Sequence, residues 1–261
     1  MKNLITILSF GVLLFSCNKT ENKETSTAKS DTIETKKEFV VDSIKVQDSV
    51  QVAKTLTLSF EKQILLFPNI TNKTILDSIY KPANIKAPDY SKNTLTAVLD
   101  NYKKQSLKKD EDQDYTPESK QTWDDVSAMK VISHKNDILT LQYTGSGYSG
   151  GAHGFYFEVY KTFDLKNNKV ISQADIFKNP ADANWNKILQ SHFDEPEQKE
   201  MLLVDKIELN NNFFFDQDKI TFVYNQYEIT AYAAGVVYIT LNFKDIKDQL
   251  KPEFIQQYNI K

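Results

Sequence analysis

The chain has 261 residues and a formal net charge of -3, and all 32 of its basic residues are lysine. Without arginine there is no planar fork for bidentate recognition of phosphate or carboxylate, and no face-sized basic cluster is present, so nucleic acid is excluded as an expected partner. The single cysteine allows no internal disulfide, and stability has to come from a buried core.

The N-terminus points to a compartment. Lys2 is followed by an apolar run from Leu4 to Phe15 and then by Ser16-Cys17. That run is too short to span a bilayer, and its basic start, apolar middle and small residue before the cut have the form of a secretory signal. The order Leu14-Phe15-Ser16-Cys17 is that of a lipoprotein signal. We therefore expect a signal peptide over 1–17, lipid on Cys17, and a membrane-anchored protein on the periplasmic or cell-surface side. Residues 18–38 are rich in Thr, Lys, Glu and Ser, with Ile33 as their one sizeable apolar side chain. Such a stretch buries too little to offset the entropy of ordering and reads as a tether. About 200 residues remain, enough for one large or two small domains.

Structure is expected from Phe39 onward. Between Thr55 and Phe67, Leu56, Leu58 and Phe60 alternate with Thr55, Thr57 and Ser59, a strand pattern. Ile75 and Ile79 follow a Thr71 or Asn72 cap and predict a short helix from Thr71 to Tyr80. Leu95, Val98, Leu99 and Tyr102 predict a second helix from Ser91 to Leu107. The acid-rich run from Asp110 to Glu118 has an Asp-x-Asp-x-Asp spacing but lacks the glycine and closing glutamate of a calcium loop, and reads as a solvated connection. Strands are then expected at Ala128–Ser133, Asp137–Thr144 and Phe155–Leu165, the last with Phe155, Phe157, Val159 and Phe163 on one face. Trp185, Ile188, Leu189 and His192 predict a helix over Asp182–Phe193. Further strands are expected at Ile220–Tyr224 and Val236–Phe243, and a short helix around Asp245–Leu250. Strands clustered with helices between some of them argue for an α+β fold with a largely antiparallel sheet. We divide it into an N-terminal part over 39–127 and a C-terminal part of the same module over 128–261.

The stretch Gly145 to Gly154, GSGYSGGAHG, contains two overlapping signatures. Gly145-x-Gly147-x-x-Gly150 fits a dinucleotide-binding turn, but that turn must lead into a helix whose N-terminus takes the pyrophosphate. The residues that follow alternate and are aromatic or β-branched, the composition of a strand. Gly147-x-Ser149-x-Gly151 fits a nucleophile elbow, which needs the same helix. An esterase-like hydrolase using Ser149 with His153 or His192 therefore remains only as an alternative. The three histidines lie far apart, with no ligand spacing for a metal. No cofactor or metal is expected. What survives is a glycine-rich loop carrying Tyr148 and His153.

Two sets of residues resemble a known family. The run GGAHG over Gly150 to Gly154, the aromatic strand after it, Phe163-Asp164-Leu165 and ISQADIF from Ile171 to Phe177 form the first. The stretch FFFDQDKITFVYNQYEITAYAAG from Phe213 onward, with its closing strand, forms the second. Both resemble the extracellular domain of lysozyme-sensing anti-sigma factors of the RsiV type, over roughly Leu56 to the C-terminus. That resemblance implies a two-part α+β domain, secreted or envelope-bound, which in the anti-sigma relatives binds lysozyme and elsewhere accompanies polysaccharide deacetylase domains in peptidoglycan-modifying enzymes. The chain departs from the pattern: it has no sigma-binding segment, no deacetylase metal site, and Ala231 where relatives usually have proline. The expectation is a non-enzymatic binding domain for a lysozyme-like protein or a peptidoglycan ligand, with Tyr148, His153, Tyr227, Glu228 and Tyr232 as contact residues.

Overall fold

The computed structural model describes residues 39–108 and 116–261. The signal peptide, Cys17, the tether and the acid-rich run as far as residue 115 lie outside the described residues. Residues 39–261 form one unit.

Among the described residues, nine strands make two sheets, with six α-helices. β1 (Asp42–Ala53) and β2 (Leu56–Leu66) form an antiparallel hairpin. Two helices follow. α1 (Lys73–Tyr80) starts where the Asn72 side chain accepts from the Ile75 amide at 3.2 Å, and α2 (Lys92–Ser106) starts where Ser91 accepts from the Thr94 amide. Each cap satisfies an amide that the first turn leaves open. The helices lie in the connection to β3 (Gln121–Lys135), which pairs with β2 in parallel over Leu56–Gln63 and Gln121–Ala128. A parallel pair needs such a crossover. β4 (Ile138–Tyr148), β5 (Phe155–Asp164) and the short β6 (Lys169–Val170) complete the six-stranded sheet as an antiparallel meander. The two-residue turn from β3 to β4 uses Asn136 and Asp137, both at positive φ, the geometry that matches strand twist.

The helices cover one face of this sheet. Ile75, Ile79, Leu95 and Leu99 pack there with Ile64, Leu139, Leu141 and Phe163. Two buried phenols tie α1 down: Tyr80 donates to Leu65 O and Tyr143 to Ile79 O, each at 2.7 Å.

After β6 come α3 (Gln173–Ile176), α4 (Asn184–Ser191) and α5 (Pro196–Lys199). A three-stranded antiparallel sheet follows, from β7 (Phe213–Phe215), β8 (Lys219–Tyr224) and β9 (Val237–Asn242). α6 (Pro252–Tyr258) closes the chain. Trp185, Leu189, Phe193, Phe222, Ile239, Phe243 and Phe254 fill the core of this part.

The expected α+β architecture is present, and several elements differ from expectation. The boundary drawn after Ser127 falls inside β3. The helix expected around Asp245–Leu250 is two 3-10 turns, Phe243–Asp245 and Lys247–Gln249. α6 begins after them, with Pro252 in the first helical turn where no amide is needed. β1 and β7 were not expected. β1 is exposed along most of its length and so shows little apolar alternation, while β7 is three phenylalanines, too short a run to display a period.

A candidate binding surface at the glycine-loop end of the sheet

Gly145 and Gly147 are not loop residues. They sit in β4 opposite Phe157 and Phe155 of β5. A Cβ on Gly145 would stand 2.3 Å from the Phe157 ring, and one on Gly147 would stand 2.5 Å from Asp124 O and 2.8 Å from the Phe155 ring. The missing side chains give the two phenylalanine rings room over the neighbouring strand, where they stack parallel with centroids 6.4 Å apart. The loop itself shrinks to residues 149–154. Tyr148 closes β4, and its hydroxyl donates back to Gly151 O at 3.0 Å, bracing that loop.

His153 is brought to the second loop. Its ring stacks on Tyr232 at 3.8 Å, and its Nε2 lies 3.4 Å from the Tyr227 hydroxyl. Its Nδ1 donates to Gly154 O at 2.8 Å, which leaves Nε2 as the acceptor in the neutral ring. Tyr227 and Tyr232 lie 5.9 Å apart. Tyr227 is 59 % exposed and at φ 67, a left-handed conformation uncommon for a large side chain. The Asn225–Thr230 turn holds it, with Glu228 N donating to Asn225 O and Tyr227 N to Thr230 O. Glu228 points its carboxylate toward Asn225 Nδ2 at 3.4 Å and takes no part in the ring cluster. Thus His153, Tyr227 and Tyr232 form one aromatic cluster, with Tyr148 supporting it and Glu228 at its base.

The second loop is held against β5 by side-chain amides. The edge of β5 that faces away from β4 pairs with β6 only at Phe163 and Asp164. Gln226 accepts from Tyr156 N at 3.2 Å, Asn225 accepts from Glu158 N at 2.7 Å, and Asn212 accepts from Tyr160 N at 2.7 Å. Asn225 and Asn212 also donate to Glu158 O. These amides satisfy backbone groups that a further strand would otherwise take.

The same strand carries a feature that sequence reasoning missed. Glu158 is 8 % exposed. Its Oε1 accepts from Tyr156, and its Oε2 accepts from Tyr160 and Tyr238 at 2.7 Å and from Gln142 at 3.1 Å. Burial pushes its carboxyl upward, but the bonds from Tyr156, Tyr238, Tyr160 and Gln142 outweigh that and hold it below its ordinary 4.5. Burial, followed by the bond and charge of Glu158, pushes Tyr156 up to about 12 and Tyr160 and Tyr238 higher. The phenols are therefore fixed donors and the carboxylate a fully engaged acceptor. This arrangement orders side chains and has no free base to offer a reaction. In sequence, Glu158 is a charged residue at a strand position opposite the apolar face, which normally marks solvent. The covering second sheet makes it an interior group.

Around this hub two rings remain open: Tyr156 is 38 % and Tyr238 43 % exposed. With Tyr227, Tyr232 and His153 they make an aromatic strip at the junction of the two sheets, while Phe155, also exposed, stands with Phe157 on the opposite face of β5.

Ser149 is exposed and, among the described residues, its hydroxyl has no hydrogen bond to a histidine or carboxylate. His153 is engaged as described, and His192 caps α4 with Nδ1 on Ile188 O at 2.9 Å. The pairing a nucleophile needs is not formed. Among the described residues there is also no group of three or more His, Cys, Asp or Glu placed to hold a metal.

Comparison with known proteins locates both halves of the strip. Residues 51–156 match the family model described as Deacetylase PdaC, and residues 174–244 match the model described as Protein of unknown function (DUF3298). His153 and Tyr156 lie in the first segment, and Tyr227, Tyr232 and Tyr238 in the second. No curated protein matches. A solved member of the DUF3298 family from Bacteroides fragilis is similar with a TM-score of 0.67 and 22 % identity, covering 85 % of this chain and 98 % of that one. A DUF3298 family protein from Pseudomonas aeruginosa is similar at 0.57 and 16 % identity, covering 82 % and 95 %. At these identities the likeness is one of fold.

Proposed function

We propose that the chain is a cell-envelope lipoprotein, held by lipid on Cys17 at a periplasmic or outer surface, whose folded unit is a non-enzymatic binding domain. Its ligand is a cell-wall glycan or a protein of the lysozyme kind. The observation that carries this reading is the convergence of two loops distant in sequence, 149–154 and 225–235, into the His153, Tyr227 and Tyr232 cluster beside exposed Tyr156 and Tyr238. Soluble proteins bury most aromatic surface, and a strip of open rings with polar tips suits sugar faces and protein partners. The engaged carboxylate and the unpaired Ser149 support binding over catalysis. The matches to a deacetylase model and to a domain of unknown function agree with an envelope setting.

The test is retention of the full chain on purified peptidoglycan and on immobilised lysozyme, beside a Tyr227→Ser/Tyr232→Ser variant. Binding to at least one is expected, weakened about tenfold or more in the variant while its thermal midpoint stays close to that of the parent chain. Retention on neither ligand would sink the proposal. A variant that unfolds would place the two rings in the core instead.

A further inference from the structure

At the opposite end of β4 and β5 from the glycine loop lies a second concavity of about 660 Å³, inside the usual range for small-molecule sites. Four segments distant in sequence shape it: the β3–β4 turn, the end of β5, the β7–β8 turn and the end of α6. Its apolar wall is Phe215 with Tyr258, whose rings meet edge to face at 5.8 Å. Ile138 adds a further apolar contact, and the rest of the lining is polar, with amides from Asn167, Gln217 and Gln257 among them and four carboxylates, Asp137, Asp164, Asp216 and Asp218.

Asp164, 1 % exposed, organises that wall. Its Oδ1 accepts from Asn167 N at 2.9 Å, and its Oδ2 accepts from Asn167 Nδ2 and Gln257 Nε2 at 2.7 Å and from Tyr258 at 2.9 Å. One buried carboxylate thus fixes an aromatic ring and two amides around a single space. The other three carboxylates are exposed. Asp216 caps its own turn, its Oδ1 accepting from the Asp218 and Lys219 amides, and Asp218 lies 3.8 Å from Lys261 Nζ. Among the described residues, the Asp137 side chain makes no hydrogen bond.

This chemistry sorts ligands. Lys135 and Lys166 are the cations of the lining against four carboxylates, so a phosphate, nucleotide or uronic acid meets excess like charge. An apolar ligand would strip water from the three exposed carboxylates and return no hydrogen bond for it. A polyhydroxylated ring satisfies both kinds of wall, its C–H face on the aromatic side and its hydroxyls on the amides. A protonated amine adds an ion pair with the exposed carboxylates. We propose that the cavity is a saccharide site that favours a sugar bearing a free amino group, separate from the aromatic strip.

The test is calorimetric titration of the full chain with a disaccharide of β-1,4-linked glucosamine, with its N,N′-diacetyl form, and with an acidic disaccharide. The amino form should bind best and the acidic form worst. Asp137→Asn/Asp216→Asn keeps the left-handed position tolerable at residue 137 and the turn acceptor at residue 216. It should weaken the amino form about tenfold and the diacetyl form little. Ser133→Trp, at an exposed lining position, should abolish binding of both by filling the space, and a matching thermal midpoint shows that it folds. Tyr227→Ser/Tyr232→Ser should bind all three as the parent chain does, which separates this site from the proposed ligand surface. Absence of binding by the amino form up to millimolar concentration, preference for the acidic form, or undiminished binding by Ser133→Trp would overturn the assignment.

Discussion

Glu158 and Asp164 stand on the same face of β5, both nearly sealed from solvent and both with their pKa held below the ordinary value by hydrogen bonds that outweigh burial. Their partners differ in kind. Glu158 draws on β4, on its own strand and on β9, so its donors come from both sheets. Asp164 draws on the turn after β5 and on α6. Both carboxylates replace apolar packing where a sheet face meets the second part of the molecule. The first joins sheet to sheet across an open aromatic surface, while the second gathers a turn and a helix end around a cavity. One strand supports a candidate binding surface at one end and a hollow at the other by the same device with different partners.

Three measurements break or sharpen this contrast. The largest effect is expected from Glu158→Ala, which leaves three phenols and an amide without their acceptor. It should cost about 3 kcal/mol in the free energy of unfolding by denaturant, and a loss below about 1 kcal/mol would show that the hub does not join the sheets. Asp164→Ala should cost about 2 kcal/mol, less because turn and helix-end donors can rotate toward water. Amide hydrogen exchange should quicken in α6 and leave β8 and β9 unchanged; equal quickening in both would erase the distinction. The smallest effect is with pH. Each carboxyl has a folded pKa below its ordinary 4.5 or 3.8. In that region the unfolded chain binds more protons, so their contribution is whole above those ordinary values and is lost as pH falls through the folded ones. Stability should be level near neutrality and fall in acid, and Glu158→Gln/Asp164→Asn should flatten that fall. An unchanged acid limb would mean that other groups control it, with Asp175, also lowered, the next to replace.

Elements with strong period were readable from sequence: β2 by alternation, α1 by Ile75 and Ile79 behind a Thr71 or Asn72 cap, α2 by the spacing of Leu95, Val98, Leu99 and Tyr102, and β8 by its apolar run. β1 was not, because an edge strand exposed on most positions carries no apolar period, and α6 was not, because Pro252 opens the helix where it was taken to end the chain's structure. Candidate contact residues were named on both loops, yet nothing in their spacing brings residue 153 to residue 227. That approach depends on Asn225 and Gln226 bonding the free edge of β5. Glu158 was hidden for a related reason: an acidic residue opposite an apolar face reads as solvated until a second sheet is known to cover it. The glycines of β4 became legible only through the β4–β5 register, as room for two phenylalanine rings in place of a ligand loop.

The parallel seam between β2 and β3 has a kinetic consequence. The β1–β2 hairpin and the β3–β4–β5 meander each close through short turns, so both can form early and independently. The seam joins them only after the chain carrying α1 and α2 has closed a long loop, and long-range pairing of that sort is slow. Until it closes, β2 and β3 each present an unpaired flank, so the interval before docking is when this protein is most open to mispairing with a second copy.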